Sequence, residues 1–348
     1  DYYKNEEGID WQRAITHNAV SHSHNINISG GNAGTRYNAV LGYTDQNGLV
    51  INTGMERYTA KVSLEQQFGR RVKAMLMANH SSTAFNQARQ FFPTTGFLDV
   101  NSFIDEMEQM LAEGTLNESG IDYGALITPL QQAENEYDKR IQRQTMINAK
   151  VDWKITPSVG LTMTSTRRDQ FYNSQTRQGM IFKRYNGVMV NSKGINANRS
   201  INDVKSILNE NILRYNRTFN RDHKLEVMGG FTYQYSEWNP YAFSVSNIPQ
   251  AFEHLKMDRL DLGTPYGKIT SQKSANQLVS LLGRVNYTFR DKYLLTASIR
   301  DDGSSKFAKG HQWGIFPSGA FAWRFTEEPF MQWITPVMSY GKLRLTYG

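Results

Sequence analysis

The chain of 348 residues has no cysteine, no long apolar run and no catalytic signature. The first absence excludes disulfides and thiolate metal sites. The second excludes a spanning helix, which needs roughly 18 to 20 consecutive apolar residues. The longest apolar runs are about five residues, such as Ala74-Met75-Leu76-Met77-Ala78. No GxSxG, HExxH or Walker A pattern occurs, so neither an enzyme nor a cofactor is expected. The formal charge of +7 is spread along the chain without a dense basic run, which gives no sign of a nucleic-acid partner. The first residues carry no initiator Met and no signal peptide. The last, Gly348, falls inside a strand pattern, so an internal segment of a longer protein is expected.

What the chain does have is alternation. Aromatics reach 12% although the hydrophobic share is only 39%. Such a composition suits strands that turn one face to an apolar medium and the other to water. In 57–68, Tyr58, Ala60, Val62, Leu64 and Phe68 share one face, with Gln66 as the polar exception. Arg57, Thr59, Lys61, Ser63, Glu65 and Gln67 share the other. The pattern recurs at 37–43, 72–78, 149–155, 225–235, 279–289, 293–299, 319–325 and 343–347, and more weakly near 23–29, 159–169 and 207–219. That makes about twelve strands, many of the roughly 9 to 11 residues needed to cross a bilayer at a tilt.

The connections sort by length. Residues 30–35, 68–71, 156–158, 220–223 and 290–292 read as short turns; 45–56, 85–144, 170–206, 238–275 and 302–314 read as long loops. Short and long alternate up to 327–341, a medium link on the short side. Outer-membrane barrels have short periplasmic turns and long extracellular loops. The expectation is therefore all-β: an antiparallel transmembrane barrel wall, with 1–22 as a lead-in and 23–348 as barrel. Aromatic girdles are expected at both rims, with Phe68, Trp153, Phe219, Tyr287, Phe289, Trp323 and Phe325 at the periplasmic one and Tyr43, Tyr58, Tyr233 and Tyr235 at the outer one. Within 85–144, helices are expected over 97–113 and from about Pro129 to Arg143.

Several segments resemble the SusC-like (SusC/RagA) TonB-linked outer-membrane proteins. They include Ile9-Asp10-Trp11, Asn27-Ile28-Ser29-Gly30-Gly31-Asn32, the hairpin from Thr35 to Tyr43 followed by Asp45-Gln46-Asn47-Gly48, and the end from Lys342 to Gly348. The longest runs from Leu282-Gly283-Arg284-Val285-Asn286-Tyr287 through Tyr293–Phe307 and Trp313–Ser318 to Ala322-Trp323-Arg324. The resemblance implies a plugged barrel of about 22 strands, of which this chain supplies about half the wall. It implies import of oligomeric nutrients, glycans or peptides, across the cell outer membrane, coupled to the TonB complex and capped by a SusD-like surface lipoprotein. The family's TonB box, plug domain and terminal strands do not occur in this sequence. The alternative is a passive porin or a surface-binding adhesin barrel.

The lumen-facing charges Arg57, Lys61, Glu65, Lys73, Lys150, Asp152, Lys154, Glu226 and Arg284 are candidates to meet a plug, water or substrate. Aromatics expected in the outer loops are candidates to stack on a ligand: Trp238, Tyr241, Tyr266, Phe91, Phe92, Tyr172 and Tyr185. His22 and His24 read either as a metal pair or as two lumen-facing polar residues near a strand end, and the second reading is preferred. Asp301-Asp302-Gly303-Ser304-Ser305 lacks the spacing of a calcium loop and reads as an outer loop held by turn chemistry.

Overall fold

A computed structural model describes residues 11–87, 130, 133, 136–179, 184–185, 188–189, 194–334 and 336–348. A short helix α1 (Trp11–Ile15) leads into β1 (Ser21–Gly31), β2 (Thr35–Asn47), β3 (Gly54–Phe68), β4 (Val72–Gln87), β5 (Glu136–Lys154) and β6 (Val159–Gln178). After the two-residue strands β7 (Arg184–Tyr185) and β8 (Val188–Met189) come β9 (Ile195–Phe219), β10 (His223–Ile248) and β11 (Thr264–Ser271). Then follow β12 (Ser274–Phe289), β13 (Tyr293–Ser304), β14 (Trp313–Trp323) and β15 (Leu343–Tyr347). Twelve strands pair antiparallel with their sequence neighbours in the order β1-β2-β3-β4-β5-β6-β9-β10-β12-β13-β14-β15; β7 and β8 pair only with each other. β11 continues the line of β12 along β10, with Tyr241 opposite Ser271 and Trp238 opposite Ser274. This is the expected meander.

Register fixes the faces, because side chains directly opposite one another share a side of the sheet. Leu41 faces Ala60, Val62 faces Ala78, and Ala78 faces Ile147. Further along, Phe231 faces Leu281, and Val285 faces both Val227 and Ala297. These residues form one continuous outward surface. It is bare: Tyr58 is 54% exposed, Val62 55%, Leu281 50% and Val285 41%. Moving each such side chain from water to hydrocarbon is worth roughly 1.5–3 kcal/mol. A surface of this extent is stable only against lipid.

At the short-turn end, outward aromatics contact one another. His223 lies 4.8 Å from Phe289, and Phe289 stacks 6.2 Å from Tyr293. At the other end Tyr43 and Tyr58 pack at 4.9 Å. These are the two girdles. The strands are staggered as well. Trp153, at the short-turn end of β5, faces Leu161, which faces Leu213, well inside β9. Stagger of this kind accompanies the strand tilt of a barrel wall.

Several expectations change. The helix from Pro129 to Arg143 is overturned from Glu136 onward, because β5 begins there and pairs Asp138 with Gln87; only Leu130 and Ala133 are helical in the described part before it. Beyond the lipid belt the outward side of this stretch mixes Tyr137 and Ile141 with Lys139 and Arg143, so the apolar-polar alternation that marks a strand is interrupted. The helix expected over 97–113 lies outside the described residues. The loops expected over 170–206 and 238–275 are largely strand, since β6, β9 and β10 project past the outer girdle. Phe325 leaves the wall and begins a 3-10 turn.

The projecting part carries its own small core. Residues 249–263 fold back on the outward side of β9 and β10 and bury Ile195, Ala197, Val245, Ile248, Met257 and Leu260. Below that core, Glu237 accepts hydrogen bonds from Tyr235 (2.6 Å), Asn239 (2.9 Å) and Lys273 (3.0 Å), which hold its carboxyl down at about 2. Lys273 sits between β11 and β12, so the pair fastens that junction to β10. The lead-in attaches at the same end: Thr16 bridges Val50, and the Ile51 amide donates to the Ile15 carbonyl.

Candidate functional site

The inward face is the candidate site. Arg57, Lys61, Glu65, Lys73, Lys150, Asp152, Lys154, Glu226 and Arg284 all lie on it, opposite the lipid belt, as register requires: Lys61 alternates with Val62, and Arg284 with Val285. Some are tied to each other. Lys73 reaches Glu65 at 2.8 Å, and Arg36 approaches the same carboxylate at 3.7 Å. Lys150 pairs with Asp152 at 3.0 Å; the Thr162 hydroxyl donates to Asp152 at 2.8 Å and accepts from Arg214 at 3.1 Å. Asn286 donates to Glu226 at 3.4 Å and accepts from Thr296 at 2.9 Å. Arg300 holds Asp302 at 2.7 Å and also donates to Ser280. Asp302 thus serves the wall lattice at the end of β13, where a loop was expected.

Other charges are left over. Among the described residues, Arg57, Lys61 and Arg284 have no carboxylate at ion-pair distance. At the short-turn end a recess of about 360 Å³ gathers Arg70, Arg71, Lys73, Lys154 and Arg214 around the single acid Asp152. The inward face therefore carries a cationic surplus, concentrated near the periplasmic rim, that can accept carboxylates or phosphates.

The aromatic candidates separate. Tyr172 and Trp238 are on the inward face near the mouth: Tyr172 faces Asn202 and Gln142, and Trp238 faces Val204 and Ser274. They stand two strands apart, roughly 10 Å. Tyr266, opposite Ser244, is higher on the same face and lines a recess of about 270 Å³ with Glu136, Asp138, Asn196 and Asn198. Tyr241 points outward, opposite Ile201. Tyr185 belongs to the β7–β8 pair, and Phe91 and Phe92 lie outside the described residues. His22 and His24 are also on the outward face, because His24 faces Tyr43, whose ring packs on Tyr58 in the girdle. This corrects the lumen-facing expectation; their rings touch edge-on at 5.4 Å. The polar residues of the mouth recess were missed because that stretch read as helix and loop. The signal that could have found them is the alternation Glu136, Asp138, Arg140, Gln142, which is inward-facing throughout.

No family model matches this sequence. Curated relatives do. TonB-dependent receptor P39 of Formosa agariphila is 28% identical over 98% of the chain, which covers 31% of that protein. TonB-dependent receptor SusC of Bacteroides thetaiotaomicron is 27% identical over 97% of the chain and 34% of its own length. The chain resembles the SusC-like TonB-dependent receptors over nearly its whole length. It spans about a third of the length of these relatives.

The SusC-like chain has the fold of solved outer-membrane barrels. A structure of the RagAB peptide transporter superposes with a TM-score of 0.70 at 18% identity, over 94% of this chain and 36% of that one. The unliganded ferric citrate transporter FecA gives 0.53 at 8% identity, over 89% and 40%. The SusC-like wall lies in the outer membrane, with β1–β6, β9, β10 and β12–β15 crossing or extending from it. Its most family-like run, 282–324, forms the consecutive strands β12, β13 and β14.

Proposed function

We propose that this wall belongs to an active importer of oligomeric nutrients, driven through TonB, with a SusD-like surface lipoprotein over the long-loop end. The observation that carries the reading is the match of nearly the whole chain to TonB-dependent receptors, joined to a barrel wall whose inward face is polar and cross-linked. The substrate class is glycan or peptide. SusC is named as a receptor and RagAB as a peptide transporter, and both resemble the chain. Relatives that are receptors and transporters also favour transport over catalysis.

In this reading the wall divides its work by height. The surplus cations Arg57, Lys61 and Arg284 and the basic recess at the rim meet carboxylates of a plug inside the barrel. Tyr172, Trp238 and Tyr266, on the inward face of the mouth, stack on or hydrogen-bond to the incoming oligomer. The projecting strands β5, β6, β9 and β10 give the lipoprotein a stiff rim. Uptake of labelled oligosaccharides and oligopeptides by cells carrying the intact protein, with and without a working TonB, tests the proposal. Uptake lost without TonB supports it. Uptake that persists favours a passive porin, and surface binding without uptake favours an adhesin.

A further inference from the structure

One connection on the short-turn side is not short. Residues 324–342 join β14 to β15, where the other short-side links are three or four residues, such as 69–71 and 290–292. Most periplasmic turns only reverse the chain. This one has a fold of its own. Two 3-10 turns, Phe325–Glu327 and Pro329–Ile334, are closed by a polar clasp: Thr326 is buried, accepts from the Gly341 amide at 3.0 Å and faces the Gly341 carbonyl at 3.4 Å. The Phe325 ring lies against Gly341 where a side chain would otherwise be.

A second clasp fixes the segment to the wall. The buried Glu328 carboxylate accepts from the Tyr293 hydroxyl (2.7 Å), the Trp323 indole (3.2 Å) and Lys292 (3.2 Å). Tyr293 and Trp323 face one another across β13 and β14 at the periplasmic end of the lipid-facing side. The segment is thus held against the outward side of the wall at its rim. Thr326 and Glu328 are taken up by these clasps. Its apolar side chains are not: Phe330 is 63% exposed and Trp333 73%, although Phe330 also packs 6.4 Å from Trp323 of the girdle.

We propose that the 324–342 connection is an interfacial anchor, which extends the periplasmic aromatic girdle by setting Phe330 and Trp333 into the inner leaflet of the outer membrane. The occupant is phospholipid because the patch continues the lipid-facing belt through the Trp323–Phe330 contact. Aromatic rings with an apolar body are at home at headgroup depth. Arg324, stacked 5.9 Å from Tyr340, adds a cation at the same rim, which suits phosphate. The inference does not depend on what the barrel carries.

This chain has no cysteine, so it adds no thiol beyond the one introduced. Trp333→Cys, and separately Phe330→Cys, are labelled with an environment-sensitive fluorophore in the intact protein folded in phospholipid bilayers. Lys306→Cys, in the loop between β13 and β14, is the aqueous control. Heat-modifiable migration on gels confirms that each variant is folded. Among the described residues Trp333 makes no ring contact with the wall, so it reads out even where a change at Phe330 disturbs the fold. The expected result is blue-shifted emission at 333, stronger quenching by lipid-borne bromine than by aqueous iodide, and the reverse at 306. Two results overturn the proposal: iodide quenching at 333 equal to that at 306, which leaves the patch in water, or blue emission insensitive to both quenchers, which means that protein covers it.

Discussion

The Glu328 carboxylate accepts a hydrogen bond of 2.7 Å from the Tyr293 hydroxyl, joining the longest periplasmic connection to the first residue of β13. That bond, with those from Trp323 and Lys292, holds the carboxyl below its ordinary value near 4.5. A depressed folded-state value means that the clasp contributes fully above the unfolded value and is lost as pH falls through the folded one. A fluorophore at position 333 should therefore report a stationary environment from neutral pH down to the usual carboxylate range and loosening only below it. Glu328→Gln should loosen the segment at neutral pH and remove the acid transition. An unchanged acid transition in that variant would show that another group controls the segment.

The two faces of β3 give a sharper contrast at mid-depth. Val62 points into lipid and Ser63 into the lumen, where it faces Asn38 and Met77. An Arg on the lipid face near the bilayer midplane costs roughly 2–4 kcal/mol, while lumen substitutions are tolerated. Val62→Arg should lower folding stability in vesicles by about that amount, and Ser63→Arg by much less. Urea or guanidinium titration of the folded barrel measures both. Equal losses would mean that Val62 does not meet lipid.

The mouth predicts a difference in binding rather than in folding. Trp238 and Tyr172 face inward and Tyr241 outward, although Trp238 and Tyr241 are near neighbours in β10. An aromatic contact is worth about 0.5–1.5 kcal/mol beyond the area it buries, so losing one weakens binding by up to about tenfold. Trp238→Ala and Tyr172→Ala should each weaken substrate capture on that scale, with normal barrel folding. Tyr241→Ala should leave capture unchanged. Affinity measured with the substrate identified by uptake decides it; equal effects at Trp238 and Tyr241 would remove the mouth site.

Where a strand separates lipid from water, the sequence was legible. Arg57 to Phe68 alternates because the two media differ, and its register and facing follow directly. Beyond the belt the trace is fainter: on the outward side of Glu136 to Arg143, Tyr137 and Ile141 alternate with Lys139 and Arg143, and the helical reading failed for that reason. The site divides along the same line. Charges inside the belt, such as Lys61 and Arg284, could be assigned a face from their apolar neighbours. For the mouth aromatics, facing depended on how far β6, β9 and β10 continue, which loop-like composition hides. The histidines at 22 and 24 were misplaced because a polar residue at a girdle looks like a lumen residue until its partner, Tyr43, is known.

The β1–β2 hairpin rests on one glycine. Gly31 has φ +146°, and a Cβ there would sit 2.2 Å from the Thr35 carbonyl oxygen and 2.8 Å from the Arg36 Cα. Both obstacles are backbone, so neither can swing away. The turn is completed by the Asn32 side chain, which accepts the Gly34 and Thr35 amides at 2.8 and 2.9 Å. β1 is exposed along its whole length and, among the described residues, pairs only with β2. Gly31→Ala should cost about 1–3 kcal/mol, and the loss should fall locally, as faster amide exchange across 21–31 with β3 and β4 unaffected. Asn32→Ala removes only the side-chain acceptor and should cost about 1 kcal/mol. Exchange in β1 that does not change in Gly31→Ala would mean that the turn adopts another geometry in the membrane.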